Sequence, residues 1–331
     1  MWMVGVTESD ELIEGVLGAS RNLTAAEVAK AAGMTLEEAV QYWRAMGFAD
    51  VGEASAFTET DLEALSNLHE LVRNGVVNKR EAIEVVRSLG QNTARMAEWQ
   101  TGTMARLLAR QGEIPDEDSM SPEHVAKVAM LTTALLPTLE RMLVYAWRRQ
   151  LAAAIQRSLD TADEDDADAG VMCVGFADIV GFTRLSRRLP DDRLADLVTA
   201  FEADSADVVA ATGARLIKTL GDEVMFVAES PEVAVATALT LHEAHREGED
   251  VPSLRIGVAF GDVVTRMGDV YGSTVNLASR LTALARPGST LVDDACAVEL
   301  ATDPRFHVRA LRARPMRGLG LVRAWTVRRG R

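Results

Sequence analysis

The stretch VMCVGFADIVGFT, residues 171–183, indicates the fold of the second half of the chain. It reads as an apolar strand that begins at Val171, ends on the carboxylate of Asp178 and is followed by a possible turn at Gly181. Apolar residues then recur at helical spacing from Leu194 to Val209. Because strands and helices alternate from here on, this half is predicted to be a mixed α/β domain.

The first half has a different pattern. Apolar residues there recur at helical spacing, as at Leu62, Leu65 and Leu68, and four-residue steps continue through a segment from Leu135 to Leu159. An acidic run between the halves, residues 160–170, is too polar to bury and repels itself. We therefore predict three parts: an all-helical domain over 1–155, an acidic linker over 156–170 and the second domain over 171–331.

Length and composition agree with two globular domains. The chain has 331 residues, of which 48% are hydrophobic and 25% charged, and a formal net charge of −14. That charge disfavours a general nucleic-acid-backbone binder, so a nucleotide site must build its positive charge locally. No basic leader begins the sequence and no apolar run reaches the ~18 residues of a membrane span, so we expect a cytoplasmic protein without a span. Cys173 and Cys296 are predicted to be reduced core residues.

Two strand ends carry candidate metal ligands. The second informative stretch, LIKTLGDEVMF at residues 216–226, places Lys218 on a strand, a turn near Gly221 and Asp222 after the turn. Either Asp178 or Asp222 alone would be an ordinary strand-end carboxylate. Together at neighbouring strand ends they form an oxygen site suited to Mg²⁺, whose other ligands come from phosphates and water.

A third stretch carries candidate transition-state donors. Residues 257–264 and 268–281 read as a pair of strands followed by a helix. Asn276 and Arg280 are four residues apart, so their side chains project from the same helix face. An amide beside a guanidinium is able to bind a ribose oxygen and a transferring phosphate.

The three stretches, in this order and spacing, resemble those of class III adenylyl cyclases over roughly residues 171–327. The resemblance implies an α+β fold with a ferredoxin-like βαββαβ core, preceded here by the all-α domain. It implies ATP as substrate, two divalent metal ions per site (Mg²⁺ or Mn²⁺) and a head-to-tail homodimer. Each active site would take its metal aspartates from one subunit and its other side chains from the partner.

The resemblance also assigns a role to each matching residue. The metal ions would be bound by Asp178, Asp222 and the backbone carbonyl of Ile179. The remaining residues act on the substrate: Lys218 and Asp269 read adenine, and Asn276 and Arg280 orient the ribose and stabilise the transition state. Lys218 is suited to donate to adenine N1 and Asp269 to accept from the 6-amino group, which favours adenine over guanine.

One element of the family pattern is replaced. Relatives usually place a lysine near the C-terminal strands to contact the triphosphate, and Arg317 stands at the matching position, with Arg314 as a competitor. No acidic residue follows Asp303, whereas nine arginines do. A solvated basic strand edge is the alternative interpretation of any one of these arginines.

Other functions remain open at this point. A guanylate cyclase would share the family, and a diguanylate cyclase would share the hairpin of residues 221–223, although Leu220 replaces the second glycine of that signature. Residues 23–48 resemble a MerR-type helix-turn-helix with Thr24 and Thr35 as N-caps, which suggests a non-catalytic transcription regulator. Its second helix carries two glutamates and one arginine, so we expect no DNA binding. The layout instead resembles soluble actinobacterial cyclases whose N-terminal helical domain is inhibitory and pH-responsive.

Overall fold

A computed structural model describes residues 8–52, 54–113, 121–162, 170–245, 252–266, 268–316 and 318–330. The chain divides into two compact units, Met1–Asp160 and Thr161–Arg331. Helices make up the first unit, and a mixed sheet with flanking helices makes up the second, as the sequence predicts.

The described part of the first unit is built from helices of very different length. They are α1 (Glu8–Leu17), α2 (Ala25–Ala31), α3 (Leu36–Met46), α4 (Glu59–Arg73), α5 (Lys79–Arg110) and α6 (Pro122–Ala162). Thr24 and Thr35 begin α2 and α3, and each forms a reciprocal capping box with the glutamate three residues later. The predicted N-caps are therefore confirmed; such caps each stabilise a helix by about 1 kcal/mol.

A small core joins α2 and α3 to the helices that follow. Val28, Ala39 and Leu65 are buried in it, and the ring of Trp43 stacks on that of Phe57 with a centroid distance of 4.2 Å. The helix-turn-helix is thus part of a larger packed helical unit.

Helix α6 leaves much of its apolar surface exposed. Trp147 is 56% exposed, and Leu143, Leu151, Ile155 and Leu159 are exposed as well. Within the part of the chain that the structure describes, one helix is long and apolar enough to cross a membrane: Pro122–Leu159, whose most apolar part is almost entirely unburied. The expectation that no segment reaches this length and composition is corrected accordingly. Residues 163–169 of the predicted linker lie outside the described residues.

The second unit alternates strands and helices along the chain. The strands are β1 (Val171–Ile179), β2 (Arg215–Thr219), β3 (Glu223–Ala228), β4 (Leu254–Asp262), β5 (Val264–Arg266), β6 (Asp269–Tyr271), β7 (Ser289–Val292), β8 (Phe306–Ala310), β9 (Arg314–Met316), β10 (Gly320–Val322) and β11 (Trp325–Arg329). The helices are α7 (Phe182–Leu185), α8 (Asp191–Ala211), α9 (Pro231–Ala244), α10 (Ser273–Leu284) and α11 (Asp294–Leu300).

The main sheet has the strand order β2-β3-β1-β4-β7-β11-β8. Strand β1 pairs antiparallel with both β3 and β4, while β4 and β7 are parallel. The four strands β2-β3-β1-β4, connected through α8 and α9, form the predicted βαββαβ core. Two short hairpins, β5 with β6 and β9 with β10, lie outside the main sheet.

Side chains of β1 alternate between two cores. Cys173 and Ala177 pack in one core cluster with residues of α8, α9 and α11, whereas Val174 and Phe176 pack in the other with residues of α10. Cys296 lies in the first cluster, and both cysteines are free and buried, as predicted. Since Asp178 is two residues beyond Phe176, its side chain belongs to the α10 face.

Helix α10 lies directly against β4. A Cβ atom added at Gly257 would stand 2.3 Å from the backbone nitrogen of Thr282. Ala278 and Leu281 of the helix are completely buried against this face. The missing side chain at Gly257 therefore sets the height at which α10 holds its outer residues above the sheet.

Candidate active site

Charged residues from three neighbouring strands meet at one end of the sheet. In the strand register, Asp178 of β1 stands opposite Glu223 of β3 and Arg255 of β4. The backbone N–H of Ile179 donates to the carbonyl oxygen of Asp222 at 2.9 Å. Gly221, with φ of +70°, makes the turn that brings Asp222 there. The two predicted metal aspartates are therefore brought to adjacent strand ends.

Negative charge dominates this cluster. Burial raises the pKa of Asp178 above its ordinary value, and the charge of Asp222 adds to that rise, although Arg255 Nε donates a hydrogen bond to the Asp178 carboxylate and opposes it. Burial, followed by the charges of Asp178 and Asp222, raises the pKa of Glu223 to about 7. Three carboxyl groups thus share one arginine, so a cation placed among them would be stabilised.

The donor chemistry fits a hard divalent cation. Asp178 and Asp222 provide carboxylate oxygens, the ligand type that Mg²⁺ and Mn²⁺ prefer. Among the described residues, no cluster of three or more His, Cys, Asp or Glu side chains has the arrangement of a closed metal cage. An open site with few protein ligands suits a metal that also binds substrate phosphates and water.

Three arginines line a cavity formed by the segment that follows β1 in the sequence. Gly181 and Thr183, just after β1, line a cavity of about 410 Å³ together with Arg184, Arg187 and Arg188. Positive charge therefore lies a few residues along the chain from Asp178, one of the two predicted metal aspartates. Such a cavity is suited to anionic groups.

Lys218 and Asp269 form an ion pair across 51 positions of sequence. Lys218 Nζ donates to Asp269 Oδ2 at 2.5 Å, and the backbone N–H of Val270 donates to Oδ1 at 2.9 Å. Partial burial, the largest single cause, acts to raise the pKa of Asp269, but the hydrogen bonds from Lys218, Val270 and Tyr271 and the charge of Lys218 together outweigh it, so the pKa is lowered. The side chains are 34% and 25% exposed, so a ligand has access to both. The structure brings together this predicted pair.

Asn276 and Arg280 project from the outer face of α10. Both are exposed and lie one turn apart, whereas Thr274 and Ala278 of the same helix are buried. In the described part of the chain, no hydrogen bond or ion pair links either residue to the carboxylate cluster or to the Lys218–Asp269 pair. One chain therefore presents the predicted site residues as separate groups.

Two residues near the carboxylates were missed in the sequence, and one predicted residue is not described. Glu223 is the first residue of β3 and Arg255 the second residue of β4, and the signal for each was a charged residue at the edge of an apolar run. Arg317 lies outside the described residues. Its competitor Arg314 begins β9 and is exposed.

Comparison with known proteins adds independent findings. Residues 166–329 match the family model of the adenylate and guanylate cyclase catalytic domain. An adenylate cyclase of Streptomyces coelicolor is 44% identical over 96% of this chain and 89% of its own length. An adenylate cyclase of Glutamicibacter nicotianae is 36% identical over 95% and 81%, respectively. A pH-sensitive adenylate cyclase of Mycobacterium tuberculosis is 32% identical over 93% and 78%. These similarities cover the helical unit as well as the sheet.

Proposed function

The chain belongs to the class III cyclase family and is an adenylate cyclase, and we propose that it forms 3′,5′-cyclic AMP and pyrophosphate with two metal ions in sites shared between two copies. The observation that carries the proposal is the group of carboxylates at adjacent strand ends, Asp178, Asp222 and Glu223, with Arg255 as their one hydrogen-bonded cation among the described residues. It has the charge needed to hold metal-bound triphosphate. The Lys218–Asp269 pair supports adenine as the base.

The proposed reaction is an in-line displacement at the α-phosphorus. The ribose 3′-hydroxyl loses its proton to water, its oxygen forms a bond to this phosphorus, and the bond from the phosphorus to the oxygen that bridges to the β-phosphate breaks so that pyrophosphate leaves. Metal ions bound by Asp178, Asp222 and the Ile179 carbonyl would lower the pKa of the 3′-hydroxyl and neutralise the leaving group. Asn276 would hold the ribose, and Arg280 would donate to the phosphate oxygens as charge develops on them.

Additional cations would hold the triphosphate. Arg184, Arg187 and Arg188 line the cavity that follows β1 in the sequence, and they are candidates for its β- and γ-phosphates. Arg317 remains a candidate from the sequence, since its position follows β9 directly. Their guanidinium groups would supply locally the positive charge that the acidic chain lacks as a whole.

The preference for ATP over GTP is proposed to rest on Lys218 and Asp269. In the double variant Lys218→Glu with Asp269→Cys, the donor and acceptor no longer match adenine, and we expect kcat/KM for ATP to fall by about 100-fold, since each mismatch costs about 1–3 kcal/mol. We expect the ratio of GTP to ATP turnover to rise. Cyclic nucleotide production from both substrates, under Mg²⁺ and Mn²⁺, measures this.

A matched control separates base recognition from stability. Asp204 is an exposed carboxylate on α8, and Asp204→Cys should leave the ATP-to-GTP ratio unchanged. An unaltered ratio in the double variant, with the fold intact by circular dichroism, would contradict the assignment of the pair to the base.

The helical unit is proposed to control the catalytic unit. The similarity to a pH-sensitive relative extends over 93% of the chain, so it includes this unit. Helix α6 runs to Ala162, close in sequence to β1, and its apolar face is exposed. Arg141, Arg148 and Arg149 interrupt its apolar surface, and we assign it to contacts with protein in a cytoplasmic enzyme. Because catalysis needs two half-sites in one orientation, movement of α6 would separate them without touching a catalytic residue.

The test of this control is the pH dependence of turnover. Near neutral pH, we expect the full chain to be roughly 10-fold less active than residues 165–331, the size of an ordinary coupling free energy. Toward pH 5.5 the difference should shrink, because protonation reduces the self-repulsion of the acidic run and favours the released arrangement. Identical profiles at equal dimer concentration would exclude the switch.

A transcription regulator is the alternative from another functional class. Arg44 is the one cation of α3, and it pairs with Asp50 at 3.1 Å, while Glu38 pairs with Lys79 at 3.3 Å. A helix with this charge has little to gain from counterion release on DNA. Gel-shift titration with random duplex DNA distinguishes the two classes, since saturable binding at physiological salt would favour the regulator.

A further inference from the structure

A separate cavity lies at the C-terminal end of α10, where β7, β9, β10 and β11 surround it. Its volume is about 360 Å³, within the range of small-molecule sites. Leu291 and Met316, both buried, belong to its apolar lining. Four arginines line it as well: Arg286, Arg312, Arg314 and Arg328. None of the residues that form the carboxylate cluster, the Lys218–Asp269 pair or the Asn276–Arg280 face lines this cavity; of the residues considered for the nucleotide, Arg314, the competitor of Arg317 for the triphosphate, does.

The four guanidinium groups have no protein acceptor in the part of the chain that the structure describes. None of them forms a hydrogen bond or ion pair with a described residue, and no acidic residue occurs in the sequence after Asp303. In a protein of net charge −14, four unpaired cations around one cavity are a local concentration of positive charge.

The hydroxyl groups of the lining are already engaged. Ser289 Oγ donates to the carbonyl oxygen of Arg286 at 2.7 Å, and Thr326 Oγ donates to that of Arg309 at 3.4 Å. The polar groups left open to a ligand are therefore mainly charged donors. A complementary ligand must be rich in acceptors and negatively charged, and it needs an apolar part to cover the floor at Leu291 and Met316.

We infer that this cavity is a second binding site, which takes a phosphorylated organic anion with an apolar body. Guanidinium forks match phosphate oxygens bidentately, and they are less strongly hydrated than ammonium groups. The apolar floor buries the body of the ligand and distinguishes such a compound from free phosphate. The arginines thus select the phosphate group of the ligand, and the apolar floor selects its apolar body.

The probe for the test is 1-naphthyl phosphate, which combines both parts. Binding to the full chain is measured by isothermal titration calorimetry in buffer without divalent metal. We expect saturable binding, with 1-naphthol and inorganic phosphate each at least about 10-fold weaker because each lacks one part. Arg312→Gln and Arg328→Gln should each weaken the probe by about 10-fold, the loss of one charge-assisted contact.

Arg323→Gln is the matched control. Arg323 is an exposed arginine of the same region, but it does not line the cavity. Its replacement should leave the affinity unchanged, and circular dichroism confirms that each variant is folded. Equal weakening by Arg323→Gln would show nonspecific attraction to the basic C-terminus, and absence of saturable binding would also overturn the inference. Displacement of the probe by ATP together with its loss in Arg280→Ala would place it in the nucleotide site instead and would likewise overturn it.

Discussion

Asp222→Ala is expected to abolish cyclic AMP formation, and Asp178→Ala is expected to do the same. Each replacement removes one of two carboxylates held at adjacent strand ends, beside which Glu223 and Arg255 complete the cluster. Loss of a metal ligand that stabilises charge at the reacting phosphate removes several kcal/mol of transition-state stabilisation, on the order of 10³-fold in kcat. Cyclic AMP production at saturating ATP, with Mg²⁺ and with Mn²⁺, measures the loss.

Metal binding provides a second measurement for these variants. In the presence of a non-cyclisable ATP analogue, Mn²⁺ affinity should fall in Asp222→Ala and in the near-isosteric Asp222→Asn, because neither supplies a charged ligand. Asp204→Ala removes an exposed carboxylate from α8 and should change neither quantity. A folded Asp222→Ala that keeps more than about one tenth of the activity would contradict the two-metal assignment.

Local features of the fold could be predicted from the sequence because their causes are local. Thr24 and Thr35 each have their glutamate partner three residues later, so the capping boxes are encoded within four residues. The strand that carries Asp178 near its end and the turn at Gly221 are likewise encoded in short runs of sequence. The βαββαβ core required more than this, and the resemblance to a known family supplied it; the order of the remaining strands of the sheet was not predicted.

Features that depend on distant contacts were missed. In the sequence, Arg255 is only a charged residue near the beginning of a strand. Its role becomes visible in the strand register, which places it opposite Asp178, 77 positions away. The pKa of Glu223 depends on burial and on the charges of two other residues, which no spacing rule reveals. Helix α6 runs through Pro137, where a sequence pattern would favour a break. The long helical segments on both sides hold the backbone in place there.

The separation of the site residues within one chain leads to the second large effect. Asp222→Ala and Arg280→Ala chains should each be inactive, yet a mixture of the two should recover activity. In a head-to-tail dimer of the two variants, one site contains both substitutions and the other contains neither. With equal amounts and random exchange, half of the dimers are mixed and each has one intact site, which predicts about one quarter of the wild-type activity.

A mixture of Asp178→Ala with Asp222→Ala is the matched control. Both residues lie in the same carboxylate cluster, so every site in every dimer of that mixture lacks a metal aspartate, and the mixture should remain inactive. Subunit exchange is confirmed beforehand with two differently tagged chains. If both mixtures recover equally, recovery does not depend on which group is defective and the shared site is wrong. If neither mixture recovers although mixed dimers are present, each active site must be formed within one subunit. In that case α10 and the carboxylate cluster of the same subunit bind one nucleotide.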